Sequence, residues 1–453
     1  MNLNSLTKIV FLLLLFHFVF VPAEAQNVLE NYVKQGLESN LTLRQENFLL
    51  EKAMLGLDEA KKLQRPNVNF STTYTYGAGG RTIDFPAGDL LNNVYSTLNK
   101  LTASQQFPQL KNQKIVLNPY NFYDAKFRTI YPLVNAEIHI NQKAKSKNID
   151  LKTAEINVYK RELVKDIKTA YFKYIQATEA VQLFDNGISL LSELKKVNQS
   201  LVNNGMANGS VLLKSNAEIS KIQAQRTEAD INRQNAGAYF NFLINKEFDA
   251  EIQPDTMYTS ELTTFSKNIS AEIKNREELE KLQSAIALAG LGLDFQKAFF
   301  RPKLNMFLDL GSQGFLDRRG QSLYAFGGIA LEYPIYDAKR NSSRVHQAEL
   351  DLNAIKTQNE NVENQLELQL KVAVNSYYAA LSMYENSRDQ ISLNRRYYND
   401  LMKKYKEGQA LLIEVLEAQT QLLNAQLQQS IQLSTVWIKL CDIERISAAY
   451  PLR

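Results

Sequence analysis

Alternating apolar and polar positions mark four segments of the chain as β-strands. In the first segment, Val68, Phe70 and Thr72 share one side, and polar residues stand between them. The same alternation recurs over residues 123–131, 304–310 and 323–333. A period of two places alternate side chains on opposite faces of a strand. Strands of about ten residues cross a bilayer when tilted, although a soluble hairpin that packs on a helix alternates in the same way.

Other stretches of the chain have apolar positions at the spacing of long helices. In the second half, Val362, Leu366 and Ala373 belong to a seam with spacings of three, four or seven residues, which is typical of coiled coils. No proline interrupts this stretch. The pattern predicts long helices over residues 141–204 and 338–407, and much shorter helices on either side of them.

Four short motifs occur twice in the same order, which indicates an internal duplication. The pairs are Arg65 and Pro66 with Arg301 and Pro302, Tyr131 and Pro132 with Tyr333 and Pro334, Ala170 and Tyr171 with Ser376 and Tyr377, and Asn204 and Gly205 with Glu407 and Gly408. A single short match could arise by chance, but four in register are not expected to. The first half carries an additional segment between its first two motifs, from Asp84 to Pro119.

The duplication gives the predicted domain organisation. Residues 1–25 have the features of a signal peptide: Lys8, an apolar core and an Ala-Glu-Ala cleavage site that ends at Ala25. A transmembrane anchor is less favoured, because the apolar run is short. The predicted first repeat covers residues 26–247, with a β-hairpin at 66–132 and a turn at 204–209. The predicted second repeat covers residues 271–453, with a β-hairpin at 302–334 and a turn at 407–411. A linker over residues 248–270 is predicted between the two repeats.

Composition and charge speak against several classes of function. The chain has 52 Lys and Arg against 48 Asp and Glu, a net charge of +4, so no basic surface for nucleic acid is expected. With one cysteine, a cysteine-based zinc site is excluded, and His139 and His346 are expected to be solvated or packed. No phosphate loop, nucleophile elbow or metalloprotease motif occurs, so we expect no enzymatic activity, no cofactor and no bound metal.

One stretch of the second repeat carries a specific motif. From Tyr405 the sequence reads Tyr-x-x-Gly, and six residues after the glycine comes Glu-Val-Leu-Glu-Ala, which begins at Glu414. Together with the duplication, this stretch resembles the TolC-like outer-membrane efflux channels, the outer membrane factors. The resemblance covers essentially all of residues 27–450.

The resemblance implies a fold that is mainly α with a transmembrane β part. Three subunits would each give four strands to one 12-stranded β-barrel in the bacterial outer membrane, and their helices would form a long coiled-coil barrel in the periplasm. Four strands cannot close a barrel, and unpaired strand edges are very unfavourable in lipid. Strands that cross the membrane would therefore require a homotrimer. Residues 26–35 and 248–270 are the expected material of an equatorial belt.

The two glycine turns would then form the periplasmic tip of the helical barrel. Gly205 and Gly408 break the helical hairpins, and glycine tolerates the backbone conformation of such turns. The residues beside them are the expected contacts with a periplasmic adaptor protein: Met206, Ala207, Gln409 and Ala410.

Three residues are candidates for gating and selectivity. Glu414 and Glu417 lie one helical turn apart, so in a trimer they would form acidic rings that favour cations; a solvated helix face is the alternative interpretation. Tyr405 matches a family tyrosine whose hydroxyl helps to hold the tip closed. The sequence departs from the family at Ala410, where an arginine is common, and at Val211, where an aspartate is common, so these charged links are not expected.

The additional segment of the first half would lie on the extracellular side. The helical spacing of Leu90, Leu91, Val94 and Leu98 predicts a short helix or a lid within it.

These expectations define a passive outer-membrane exit duct that extends into the periplasm. It would conduct small molecules or secreted substrates, as in efflux pumps or type I secretion. An inner-membrane transporter of the RND or ABC class would deliver them through the adaptor. The main alternative is a periplasmic coiled-coil adaptor or structural rod, which should lack the two pairs of alternating strands.

Overall fold

The computed structural model describes residues 28–116, 121–255, 258, 266, 269, 271–273, 276–316 and 322–452. The predicted signal peptide and much of the predicted linker lie outside the described residues. The chain forms two compact units. The helical unit comprises the described residues between 28 and 53, 148 and 287, and 353 and 452, and the sheet unit comprises those between 54 and 147 and between 288 and 352.

Eight α-helices and six strands make up the described part of the chain. In chain order they are α1 (Val28–Ser39), α2 (Leu41–Lys62), β1 (Asn67–Thr75), β2 (Thr82–Phe85), α3 (Ala87–Leu101), β3 (Gln113–Val116), β4 (Phe122–Val134), α4 (Ala136–Asn203), α5 (Ser210–Leu243), α6 (Glu277–Lys297), β5 (Lys303–Phe315), β6 (Ser322–Glu332), α7 (Arg340–Lys406) and α8 (Leu412–Ile446). Each half therefore repeats the order helix, strands, long helix, turn, helix. None of the helices in the described part is both long enough and apolar enough to span a membrane.

The observed helix boundaries differ from the predicted ones. The first long helix, α4, begins at Ala136, five residues before its predicted start, and α7 begins at Arg340 instead of residue 338. The helix before β1 is divided into α1 and α2 at Asn40, which is buried. The Asn40 side chain accepts a hydrogen bond from the N–H of Leu43 and donates one to the carbonyl of Leu243, both at 3.0 Å. A buried asparagine thus starts α2 as an N-cap and also fixes it to the end of α5.

The sheet unit contains a four-stranded antiparallel sheet in the order β1-β4-β5-β6, and β2 and β3 form a separate two-stranded antiparallel sheet. In the sheet, Phe70 pairs with Phe127, Phe127 with Leu310, and Leu310 with Ala325. This register places the apolar positions that alternation predicted on one common face. The face is not covered within the chain, since Phe70, Phe127 and Leu310 are 61%, 54% and 49% exposed.

The opposite face of this sheet carries every charged residue of its four strands. In the register of the sheet, Arg128 lies opposite Asp309, and Lys303 lies opposite Glu332. Asp124 and Lys126 are on the same face as Arg128, because side chains two residues apart in β4 point to the same side. The full set is Asp124, Lys126, Arg128, Lys303, Asp309 and Glu332. Arg128 donates two hydrogen bonds to Asp309, at 2.8 and 2.6 Å, and Lys126 donates one to Asp124 at 2.7 Å. The polar face is therefore rich in charge, and four of its six charged residues form two ion pairs with one another.

In the helical unit, the tyrosines of the third duplicated motif are fully buried and fix part of the predicted linker. The Tyr171 hydroxyl accepts a hydrogen bond from the N–H of Asp255 at 2.5 Å and donates one to the carbonyl of Gln253 at 3.2 Å. The Tyr377 hydroxyl donates to the carbonyl of Ser266 at 2.8 Å. Each repeat thus uses its motif tyrosine for the same purpose, because both bind the segment that joins the repeats.

A buried ion pair connects α4 with the start of α6. Arg161 and Glu277 are 6% and 7% exposed, and the Nε of Arg161 donates to the Glu277 carboxylate at 3.1 Å. The Nη2 of Arg161 also donates to this carboxylate, and its Nη1 donates to the backbone carbonyl of Tyr450. The chain end after α8 is therefore held to α4 by the same guanidinium.

Two further arginines continue this network. Arg276, which is 1% exposed, donates to the Glu278 carboxylate at 2.6 and 2.8 Å and to the carbonyl of Ile446 at 3.1 Å. Arg445 donates to Glu162 at 2.6 Å and to Glu278 at 3.0 Å. Burial is the largest single influence on the pKa of Glu278 and would raise it, but the hydrogen bonds and charge of Arg276, its own backbone N–H and the charge of Arg445 together lower it. We call Arg161, Arg276 and Arg445, with their carboxylate partners, the arginine cluster.

Candidate gate at the helix turns

Each long helix ends in the same glycine turn. Gly205 follows α4 with a φ of +73°, and Gly408 follows α7 with a φ of +74°. After Gly205, the N–H of Met206 donates to the carbonyl of Leu201 at 2.8 Å, and the corresponding bond after Gly408 also measures 2.8 Å. This pattern is the Schellman motif, in which a glycine at positive φ closes a helix without a steric penalty from Cβ. The duplication therefore includes the turn geometry.

We expect Gly408→Ala and Gly205→Ala each to destabilise its turn by about 1–2 kcal/mol, because alanine at positive φ brings Cβ against the backbone. A Cβ at either position would meet no atom within 4 Å, so the loss of stability would report only the strain of the backbone conformation and not a clash with neighbouring side chains. Gly209→Ala is the matched control, since Gly209 has a φ of −56° and equally open surroundings. Thermal unfolding of the purified protein, followed by circular dichroism, compares the three variants. A melting temperature of Gly408→Ala equal to that of Gly209→Ala would contradict the prediction.

Beside the turns, a buried chain of hydrogen bonds joins three helices. The Tyr405 hydroxyl of α7 donates to Oδ1 of Asn198 in α4 at 2.5 Å, and Nδ2 of Asn198 donates to Oγ of Ser215 in α5 at 2.7 Å. Tyr405 is 7% exposed, and Asn198 and Ser215 are fully buried. Burial raises the pKa of Tyr405, so its hydroxyl keeps the proton that it donates. We call Tyr405, Asn198 and Ser215 the polar relay.

The polar relay ends at Val211, the position where an aspartate is common in the family that the sequence resembles. Ser215 Oγ donates to the backbone carbonyl of Val211 at 2.8 Å, so Val211 takes part through its main chain. The relay contains no charged group. Sequence reasoning identified Tyr405 but missed Asn198 and Ser215. A signal was present, because Asn198 follows Leu191 and Leu194 at spacings of seven and four and therefore lies in an apolar seam, where a single asparagine specifies how helices pair.

Apolar side chains surround the polar relay and exclude water from it. Tyr405 packs in a cluster of buried residues from all four helices at the turns, which are Leu191, Leu194, Ile222, Tyr398, Val415, Leu416, Ala418, Leu422 and Leu423. Hydrogen bonds in such surroundings are expensive to leave unmade, because no water replaces a lost partner. The relay can therefore hold the two helical hairpins together.

The two candidate acids lie on the other side of α8. Glu414 and Glu417 are exposed, whereas Val415, Leu416 and Ala418 between and beside them are buried. The Glu414 carboxylate accepts a hydrogen bond from the N–H of Leu411 at 2.8 Å, so it also stabilises the start of α8, a contact that the sequence interpretation did not include. Within the described residues there is no group of three His, Cys, Asp or Glu side chains that could hold a metal.

The four residues expected to contact an adaptor differ in exposure. Met206 is 69% exposed, and Gln409 is exposed at the other turn. Ala207 and Ala410 are half-buried, and Ala410 packs against the apolar cluster that contains Tyr405. Met206 and Gln409 are therefore more accessible to a binding partner than Ala207 and Ala410 are.

Comparison with known proteins gives a consistent result. The family model described as outer membrane efflux protein matches residues 268–435, and this description agrees with the predicted location in the outer membrane. No curated protein matches the sequence. The fold is similar to that of the outer-membrane channel OprN (TM-score 0.71, 15% identity, 93% of this chain and 90% of that chain).

Two further channels have the same degree of similarity. The Campylobacter jejuni CmeC outer membrane channel has a TM-score of 0.71 at 15% identity and covers 93% of this chain and 85% of its own. The Neisseria gonorrhoeae MtrE outer membrane channel, solved in an open state, has a TM-score of 0.71 at 15% identity and covers 92% and 88%. The chain thus carries the sequence signature of the outer membrane efflux proteins in its second half and, over nearly its whole length, has the mainly helical fold with a β part of the outer-membrane efflux channels.

Proposed function

We propose that the chain is a passive exit duct of the outer membrane, which conducts substrates delivered by an inner-membrane transporter. The single observation that supports this most is the four-stranded sheet with one exposed apolar face and one charged face. A soluble hairpin would bury its apolar face on a helix, whereas lipid on one side and water on the other suit both faces of this sheet.

The edges of the sheet support assembly as a homotrimer. Strands β1 and β6 are the outer strands of the four-stranded sheet. Open edges are not tolerated in the hydrocarbon region, because every backbone polar group needs a partner there. The β6 edge of one copy can pair with the β1 edge of the next, since successive strands in the sheet are antiparallel. Three copies then give a closed barrel of 12 strands.

The glycine turns and the polar relay support a gate at the periplasmic end. In a trimer, three relays would hold the helical hairpins in the closed arrangement, and Glu414 and Glu417 would form acidic rings beside them. Opening then requires the helices to separate at Asn198. Exposed Met206 and Gln409 suit contact with a periplasmic adaptor, which would couple the duct to an RND or ABC transporter.

Conductance in a planar bilayer tests this function. We expect purified trimers to give small cation-selective steps, and Glu414→Gln with Glu417→Gln to reduce the preference for cations, because both carboxylates are lost. Glutamine at position 414 can still accept the hydrogen bond from Leu411, so the start of α8 is preserved. Glu367→Gln, at an exposed position well before the turn in α7, is the control.

Two outcomes would count against the proposal. A soluble protein that never inserts would remove the barrel and favour the periplasmic adaptor or rod. A conducting trimer whose selectivity is unchanged by the two substitutions would keep the duct and assign Glu414 and Glu417 to a solvated helix face.

A further inference from the structure

We infer that the apolar side of α3 is a contact between copies of the chain, and that it packs against the adjacent subunit at the extracellular mouth. This inference rests on the proposed trimeric duct. It concerns the insert between β1 and β4, for which the sequence predicted only a helix or a lid.

The first observation is an uncovered apolar stripe on α3. At 3.6 residues per turn, Leu90, Val94 and Leu101 fall on one side of the helix, with Leu91 and Leu98 beside them, in a stripe about 100° wide. Leu90, Val94 and Leu101 are 63%, 52% and 78% exposed. A stripe of this width normally faces a core, yet here it faces away from the rest of the insert.

The second observation is that the insert packs against the polar side of α3. Both the amide nitrogen and the oxygen of Asn92 bond to the backbone of Leu110, at 2.9 and 2.7 Å. Asn99 makes the same pair of bonds to Phe107, at 2.8 and 3.0 Å. The chain that returns towards β4 is thus fixed to the polar side of α3. The helix has a defined orientation, and its apolar stripe stays free for a partner.

The third observation is the position of the insert at the boundary of the sheet. It leaves β1, an outer strand, after Thr75, which pairs with Phe122 where β4 begins. In a closed barrel, β1 lies next to β6 of the adjacent copy. At this same end of the sheet, Leu316 and Leu323 are 64% and 86% exposed. Apolar surface is therefore present on both sides of the expected boundary between copies.

The charge of α3 favours a copy of the chain over a lipid surface as the partner. Helices that lie on membranes carry many Lys and Arg side chains on their polar face. The only charged residues of α3 are Asp89 and Lys100, and its polar face is used by asparagines. Three identical inserts at one barrel rim also have a high effective concentration for one another, which favours contact between them or with the neighbouring strands.

Photo-crosslinking of the full-length protein tests this inference. Val94→Cys, in a Cys441→Ala background, carries a thiol-linked benzophenone in the middle of the stripe. Native Cys441 is 5% exposed, and burial raises the pKa of its thiol to about 12, so the background substitution only removes a thiol of low reactivity. Ser96→Cys is the matched control, because Ser96 is exposed on the opposite side of α3 and accepts one hydrogen bond, from Gln109.

The expected result is loss of the monomer band into covalent dimers and trimers for the label at position 94, and its retention for the label at position 96. If the trimers remain intact but the label at position 94 forms adducts with lipid, or no adduct, the inference is wrong. The proposed function as a duct would not be affected by that result. A protein that forms no trimer and conducts no current would remove both proposals. Mass and conductance are therefore measured on the same preparation before irradiation.

Discussion

Asn198→Leu should open the proposed gate. Leucine has the same branching and the same number of side-chain heavy atoms as asparagine but cannot accept a hydrogen bond from Tyr405, so the buried Tyr405 hydroxyl loses its partner. An unsatisfied buried polar group costs about 1–3 kcal/mol, and in the proposed gate that penalty applies to the closed arrangement, in which the relay is buried. The closed-to-open equilibrium would move by about 5- to 150-fold. Single-channel recording measures the effect as a higher open probability or a larger mean conductance.

A double substitution distinguishes the effect of losing the hydrogen bond of the polar relay from a general disruption of the structure at the turns. Tyr405→Phe combined with Asn198→Leu removes the hydroxyl together with its acceptor, so no buried donor is left alone. The two effects should then be less than additive, because replacing both partners of a hydrogen bond by apolar groups is nearly neutral. Fully additive effects would show that Asn198 and Tyr405 act independently, and the relay would lose its role in gating.

Arg161→Met should destabilise the helical unit more than any surface substitution. The change leaves the Glu277 carboxylate buried without the guanidinium that binds it, and it also releases the carbonyl of Tyr450. Removing one member of a buried ion pair costs about 3–5 kcal/mol. Thermal unfolding, followed by the helical circular dichroism signal, measures the loss. The same experiment on Lys62→Met, whose ion pair with Asp58 is exposed, gives the contrast, since such pairs contribute at most about 1 kcal/mol.

The paired substitution shows whether this loss comes from the stranded charge. With Arg161→Met and Glu277→Leu together, no unpaired carboxylate remains, and apolar replacements of buried ion pairs are often neutral or stabilising. Most of the stability should therefore return. If the double variant unfolds as early as Arg161→Met, the bond to Tyr450 and the packing of Arg161 matter more than the charge of Glu277.

The features that sequence predicted well are those with a period. The strands were predicted because Val68 and Phe70, or Leu308 and Leu310, repeat every two residues over a whole segment. The glycine turns were predicted because glycine adopts positive φ without a steric penalty from Cβ, and Gly205 and Gly408 recur in register. In both cases the local sequence restricts the backbone conformation, so the element can be predicted without knowledge of its tertiary contacts.

The features that sequence missed depend on partners far along the chain. Asn40 divides the first helix because its side chain binds the carbonyl of Leu243, which no local pattern announces. Asn198 belongs to the polar relay only because Tyr405 and Ser215 meet it in space. The insert was predicted to be a short helix or a lid from the spacing of its apolar residues, but its asparagines decide which side packs inward. Periodicity can mark a polar residue as unusual, as it does for Asn198 in its apolar seam, but it does not identify the group to which that residue binds.

The balanced charge of the sheet has a consequence for transport. Its four strands carry three acidic and three basic residues on the polar face, and Arg128 and Asp309 neutralise each other at short range. A wall built from three such sheets has no net charge, so ions of either sign would cross the outer membrane section with little electrostatic preference. In the proposed duct, any discrimination between cargoes would then fall to a part of the chain other than these strands, and the barrel would serve as a neutral outlet.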